Sequence, residues 1–275
     1  MGSVYVNGKF LEPADAVVSV FDHGLLTGDG VFETVAIRAG RPFALARHLE
    51  RLERSACLVG LGMPSLDELR LAARGVVEAC GYSTGKLRIT VTGGPGPLGS
   101  ARGGAAPTVI VAAEQLSGEV GVAKVVVAPW PKSERSPTAG AKTISYAENV
   151  VALSYAISKG ANEALFVNLA GDLCEGTGSN LFLEVGEGLV TPPLESGCLA
   201  GVTRGLILEN TDTTEAVTHQ RALEGTSEAF LTSTTRGVQP VSSIDGRMLD
   251  LCPGPLTRGA SEAFSRLVSH SPGEP

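Results

Sequence analysis

Lys142 lies in Gly140-Ala141-Lys142-Thr143-Ile144-Ser145-Tyr146-Ala147-Glu148-Asn149, just before an amphipathic run over 150–158. A loop rich in Pro, Ser and Gly precedes it, and the neighbourhood it enters is apolar. Desolvation disfavours the ammonium form, so a lysine placed there yields the neutral amine that attacks a carbonyl. On position alone the plainer reading stands first: a surface lysine whose stem lies along apolar side chains. Four further features suit one kind of partner, a phosphorylated aromatic aldehyde. Gly201-Val202-Thr203 opens a helix-like run, and the start of a helix offers backbone N–H groups to a phosphate. Ser233 and Thr234 add hydroxyl donors, and Arg51 adds a fixed positive charge. Glu175, in Leu173-Cys174-Glu175-Gly176-Thr177-Gly178-Ser179-Asn180, is a carboxylate able to keep a pyridine nitrogen protonated. Each feature has a bland alternative. Gly-Val-Thr is an ordinary helix cap, Arg51 belongs to a solvated stripe with Arg47 and Arg54, and Glu175 is a turn residue facing water.

Certain elements must position these groups. Val4 to Phe10 reads as a hairpin through Asn7-Gly8, and Ala16 to Phe21 as a second strand. A glycine-rich loop, 22–30, leads into a strand over 31–37. Leu45, Leu49, Leu52 and Ala56 recur at helical spacing, and 66–80 is a second helix. Lys86 to Thr92 alternates, with Lys86, Arg88, Thr90 and Thr92 on one side and Leu87, Ile89 and Val91 on the other. Strands are expected over 108–113, 122–128, 163–167, 181–183 and 229–231, with helices over 202–210 and 260–268. The division predicted is a small α/β domain over 1–114, a linker over 115–121 and a larger domain over 122–275, consistent with 275 residues.

Composition narrows the class. A net charge of −7 and a pI of about 5.2 argue against a nucleic-acid partner. No apolar run reaches 18 residues, so no membrane span is expected, and the first residues are too polar for a signal peptide. Five scattered cysteines without a CxxC fit reduced thiols in the cytoplasm, and four dispersed histidines suggest no metal site.

Taken together, the motifs resemble those of the fold-type IV family of pyridoxal-phosphate enzymes. The family includes branched-chain aminotransferases, D-amino acid aminotransferases and 4-amino-4-deoxychorismate lyases. The resemblance rests on Gly28-Asp29-Gly30-Val31-Phe32-Glu33, on His48-Leu49-Glu50-Arg51-Leu52, and on Lys142 with Tyr146 and Asn149. It rests also on the Glu175–Phe182 segment, on Gly201-Val202-Thr203-Arg204 and on 230–235. It implies an α/β fold with a small N-terminal domain and a larger pseudo-barrel domain, working as a homodimer. Lys142 would form the Schiff base with pyridoxal 5'-phosphate and shuttle the proton. Glu175 would pair with the pyridine nitrogen, and Tyr146 would lie near the ring's phenolic oxygen. Arg51, Val202, Thr203, Thr234 and Ser233 would hold the phosphate.

Within the family, the resemblance points to substrate choice through the α-carboxylate. D-amino acid aminotransferases of the best-known pattern carry an arginine where this chain has Gly93. Arg88 matches an arginine of the branched-chain enzymes, although its strand face also suits solvent. Arg102 and Arg135, on loops, are further candidates, and Phe32 replaces a pocket tyrosine of some D-specific relatives. The expectation is a transaminase of the D-amino acid type with an atypical carboxylate site at Arg88, passing its amino group to a 2-oxo acid. The rival is 4-amino-4-deoxychorismate lyase, whose members Phe21-Asp22-His23-Gly24 and the Gly30–Thr34 run resemble. A branched-chain L-amino acid aminotransferase ranks third. Ser83-Thr84-Gly85-Lys86 has the Ser-x-x-Lys of penicillin-recognising hydrolases but lacks their Ser-Asp-Asn. Gly176-Thr177-Gly178 has Leu181 where a dinucleotide fingerprint needs glycine.

Overall fold

A computed structural model describes residues 3–118 and 120–270, which form two compact units. The first contains residues 3–118, Ala141–Tyr146 and residues 268–270. The second contains residues 120–140 and Ala147–Leu267. The segment that carries Lys142 therefore belongs to the first unit, although it lies well beyond that unit's main span.

The first unit has strands β1 (Val4–Val6), β2 (Lys9–Leu11), β3 (Gly30–Arg38), β4 (Arg41–Pro42), β5 (Thr84–Thr92) and β6 (Thr108–Gln115), and helices α1 (His23–Thr27), α2 (Leu45–Leu58) and α3 (Leu66–Cys80). The strands form one sheet in the order β2-β1-β6-β5-β3-β4. The alternation expected in β5 holds: Leu87, Ile89 and Val91 are buried, whereas Lys86, Arg88 and Thr90 turn away. Those apolar residues pack with Val31, Val35 and Ile37 of β3, Leu45, Leu49 and Leu52 of α2, and Leu69 and Val76 of α3. Thr92 is buried despite its parity, because its hydroxyl donates to Asp22 Oδ2 at 2.9 Å. The expected strand over 16–21 does not form. Val17, Val20 and Phe21 are exposed and join no ladder; β-branched residues favour extended backbone but do not supply an edge to pair with.

The second unit has β7 (Ala123–Val127), α4 (Ala147–Ser158), β8 (Glu163–Val167), β9 (Leu173–Gly176), β10 (Asn180–Val185), β11 (Gly188–Thr191), α5 (Val202–Asn210), β12 (Thr214–Glu215), β13 (Ala229–Ser233), β14 (Gly237–Ile244), β15 (Arg247–Met248) and α6 (Pro255–His270). Its sheet runs β12-β11-β10-β13-β14-β7-β8-β9, with β15 beside β14. Leu165, Leu173, Leu181, Leu183, Leu231 and Val241 form the core. Phe182 and Phe230, opposite each other on β10 and β13, stack with centroids 4.8 Å apart. The closing helix starts five residues earlier than the expected 260. Glu228, distant in sequence, caps it by accepting from the N–H groups of Leu256 (2.9 Å) and Thr257 (3.2 Å).

Candidate active site

Lys142 is fixed through its backbone. Thr143 bridges antiparallel to Val31. The Phe32 N–H donates to Lys142 O at 3.0 Å and the Ile144 N–H to Gly30 O at 2.9 Å. From the other side, the Lys142 N–H donates to Ser55 Oγ of α2 at 3.0 Å. Gly30 permits this close approach: a Cβ there would stand 2.8 Å from Ile144 Cδ1 and 2.7 Å from Val91 O. The half-buried side chain reaches aromatic surroundings. Nζ lies 4.4 Å from the centroid of Phe32 and 5.8 Å from that of Tyr146, and those two rings meet edge to face at 5.4 Å. Arg88 Cζ lies 3.7 Å from the Phe32 centroid, with Nε donating to Thr90 Oγ1 at 3.2 Å. Four residues singled out in the sequence, Lys142, Tyr146, Phe32 and Arg88, thus share one neighbourhood in the first unit.

Arg51 does not lie in a solvated stripe. It is buried, and Glu33 grips it with two charge-assisted hydrogen bonds, Nε to Oε1 and Nη2 to Oε2, each 2.7 Å. His48 Nδ1 stands 2.7 Å from the same Oε2. Glu33 was missed as a functional residue, yet its sequence position carries a signal. It shares a strand face with Val31, Val35 and Ile37, where an acid survives only if paired. Burial alone would raise the Glu33 pKa, but the Arg51 charge and hydrogen bonds, followed by those of His48, outweigh it and hold the carboxyl below the usual range. Burial lowers the His48 pKa from its ordinary 6.5; Glu33 opposes this, while the Arg51 and Lys142 charges add to it.

Both folded pKa values are depressed, so each group contributes stability that is present above its unfolded value and lost as the pH falls below it. His48 acts first, because the unfolded chain takes up a proton near 6.5 that the native state resists. Glu33 follows below its ordinary 4.5. The urea midpoint should therefore fall between about pH 7.5 and about pH 5.5, and the fall should be shallower in H48Q. Equal slopes in the two proteins would remove His48 from this account.

The second unit holds the remaining candidates. Glu175, on β9, is buried. Its Oε1 accepts from Lys132 Nζ, and its Oε2 accepts from the Leu199 N–H at 2.9 Å. It is therefore not a turn residue facing water. Gly201 precedes α5, whose first turn has no side-chain cap, which leaves Val202 and Thr203 at an amide-bearing helix start. A Cβ on Gly201 would come 2.0 Å from Asn180 Oδ1. Asn180 also ties this turn by donating to Leu199 O at 2.9 Å. Ser233 and Thr234 are half-buried at the β13–β14 turn, and Ser233 Oγ accepts from the N–H (3.3 Å) and Nε (3.1 Å) of Arg236. Beside them Thr232 Oγ1 is buried with no hydrogen-bond partner among the described residues.

Glu163 organises this region, and the sequence reading did not include it. It accepts from the Thr177 N–H (3.0 Å) and hydroxyl, from Ser179 Oγ (3.1 Å) and from Arg236 Nη2 (2.8 Å). It thereby joins the loop after Glu175 to the Ser233 turn. An acid opening the otherwise apolar strand Glu163-Ala164-Leu165-Phe166-Val167 was the available signal. Arg102 is committed elsewhere: it donates to both Asp29 oxygens and to the carbonyls of Val59 and Gly60. Arg135 is exposed, 3.6 Å from Glu134.

Residues 30–244 match the family Amino-transferase class IV. The chain belongs to the class IV aminotransferases. The putative branched-chain-amino-acid aminotransferase of Methanocaldococcus jannaschii is 33% identical, covering 95% of this chain and 94% of that protein. The D-alanine aminotransferase of Staphylococcus aureus (strain N315) is 29% identical, over 98% and 100% of the two chains. Among solved structures, a hypothetical aminotransferase from Mycobacterium tuberculosis in its PLP-bound form superposes with a TM-score of 0.87 at 26% identity, covering 98% and 99%. This chain is accordingly a pyridoxal-phosphate-dependent transaminase with the α/β fold of fold type IV. Each unit carries groups that suit that cofactor: the first an amine among aromatic rings, the second a buried carboxylate, an uncapped helix start and clustered hydroxyls. Among the described residues, no helix is long and apolar enough to cross a membrane.

Proposed function

We propose that this aminotransferase takes the amino group of a D-amino acid and passes it to a 2-oxo acid, with Arg88 holding the donor's α-carboxylate. The carrying observation is that Arg88 Cζ and Lys142 Nζ lie 3.7 and 4.4 Å from the centroid of one ring, Phe32. An α-amino acid needs a cation for its carboxylate and a base for its α-proton, one bond apart. A guanidinium and an amine against the same phenyl ring suit that demand. The D preference draws on the likeness to D-alanine aminotransferases over 98% of the chain.

Bound pyridoxal phosphate supplies an aldehyde that exchanges amines and a ring that withdraws electrons from the α-carbon. The chain's own residues divide the remaining work. Lys142 Nζ would hold the cofactor and, as a free amine, would carry the proton to and from the α-carbon. Glu175 is assigned to the ring nitrogen and Tyr146 to the ring oxygen. The Val202 and Thr203 amides, the Thr234 and Ser233 hydroxyls and Arg51 are assigned to the phosphate. Glu33 sets the plane of the Arg51 guanidinium. Cytoplasmic residence agrees with five cysteines that form no disulfide. A homodimer agrees with the exposed apolar run Val17, Val20, Phe21 and Leu25 in the first unit.

A second reading, an L-branched-chain donor, has its own support in the placement of Arg88 within β5 and in the 33% identical relative. Donor half-reactions with D-alanine, D-glutamate, L-leucine and L-valine separate the two. Conversion to the pyridoxamine form is expected with the D donors. Response to the L donors alone would favour the second reading. Response to none would turn attention to pyruvate release from 4-amino-4-deoxychorismate. Arg88→Ala should raise the donor KM by about 100-fold, the loss of a charge-assisted carboxylate contact of roughly 2–3 kcal/mol. An unchanged KM would remove Arg88 from the site.

A further inference from the structure

Lys132 has no part in the chemistry assigned so far, yet its ammonium touches the carboxylate on which the electron sink depends. Its own N–H donates to Val167 O at 2.8 Å, fixing the start of the side chain against β8. Its Nζ lies 5.7 Å from the centroid of Phe166 and donates to Glu175 Oε1. The Lys132 side chain is a quarter exposed, whereas that of Glu175 is 8% exposed. The neighbouring thiols bring no compensating charge. Burial first, and then the Glu175 charge, pushes the pKa of both Cys174 and Cys198 up, that of Cys198 to about 11.

We propose that Lys132 is a positioning residue that holds the Glu175 carboxylate turned toward the cofactor's ring nitrogen. This rests on the assignment of Glu175 to that nitrogen. A carboxylate has about four lone-pair positions on its two oxygens. Lys132 occupies one on Oε1 and the Leu199 N–H one on Oε2, so each oxygen retains an acceptor position. The two donors fix the carboxylate plane from both sides. Without the Lys132 contact the carboxylate is held at one oxygen only and is free to turn from the ring nitrogen. Lys132 acts through Glu175 and touches neither substrate nor reacting atoms in this scheme.

The test is a double-mutant cycle on cofactor affinity. The enzyme is stripped of cofactor and titrated with pyridoxamine 5'-phosphate, whose binding needs no covalent bond to Lys142. Quenching of protein fluorescence reports the Kd. K132M should weaken binding about tenfold or more, the loss of a charge-assisted hydrogen bond that positions Glu175, and K132R should return it to within about threefold of wild type. E175Q should also weaken binding, and E175Q/K132M should bind no worse than E175Q alone. Losses that add, or wild-type affinity in K132M, would overturn the proposal. Wild-type affinity in E175Q would instead defeat the assignment of Glu175, and the role of Lys132 with it. Should K132M fold poorly by circular dichroism, K132Q takes its place in the same cycle.

Discussion

Replacing Lys142 with alanine should leave the protein folded and slow amino transfer by at least about 10³-fold, since general acid–base catalysis alone supplies roughly 10² to 10⁴ and the nucleophile is lost as well. The fold should survive because main-chain atoms hold this position. Lys142 O accepts from the Phe32 N–H, and the Lys142 N–H donates to Ser55 Oγ. Alanine keeps both bonds and removes only the side chain that lies against Phe32 and Tyr146. K142R should fail as completely, because a guanidinium stays protonated and cannot attack a carbonyl. Small primary amines added to K142A should recover part of the rate by standing in for the missing base. Single-turnover conversion of D-alanine, with circular dichroism as the folding control, measures this. A folded K142A within tenfold of wild type would show that the α-proton moves by another route.

The second large effect concerns stability. Glu33→Ala should cost about 3–5 kcal/mol, the penalty for leaving a buried charge without its partner. Arg51 would lose both of its 2.7 Å contacts to Glu33, in the company of Val31, Val35 and Leu49. Against a typical total of about 5–15 kcal/mol, that is enough to reduce soluble yield. E33Q should be nearly as damaging. E33Q/R51M should recover most of the loss, because removing both charges leaves nothing uncompensated. Chemical denaturation of the four proteins decides the matter. A loss below about 1 kcal/mol in E33A would mean that water already screens this pair. The double variant should remain impaired in cofactor binding even when stable, which separates the structural role of Glu33 from the phosphate role proposed for Arg51.

Features written into local periodicity were legible in the sequence. The spacing of Leu45, Leu49, Leu52 and Ala56 marks α2, the run 66–80 coincides with α3, and the alternation of 86–92 fixes which way Arg88 points. Local chemistry also marked the lysine segment and the start of α5. Contacts between distant segments were not legible. Nothing near Lys142 says that its backbone will dock on Gly30 and Phe32, over a hundred residues earlier, or that Ser55 will meet its N–H. Glu163 and Arg236 are 73 positions apart, and Glu228 caps a helix 28 residues on. Of these, only Glu163 was hinted at, as an acid standing on an apolar strand. The segment 16–21 failed for the opposite reason: its composition suits a strand, but pairing is a property of the neighbour, which composition does not contain. Arg102 was open to misreading because an arginine on a loop looks available until its acceptors, Asp29 and two carbonyls, are seen.

Lys142 is the one lysine proposed to bond to the cofactor's aldehyde carbon. Borohydride reduction of the native holoenzyme converts that bond to a stable secondary amine, and peptide mass mapping then locates the added phosphopyridoxyl group. The mass is expected on the peptide that contains Lys142, in wild type and in K132R alike, and should vanish in K142A. Modification of Lys132 in the native enzyme, or an unmodified chain after reduction, would contradict the account.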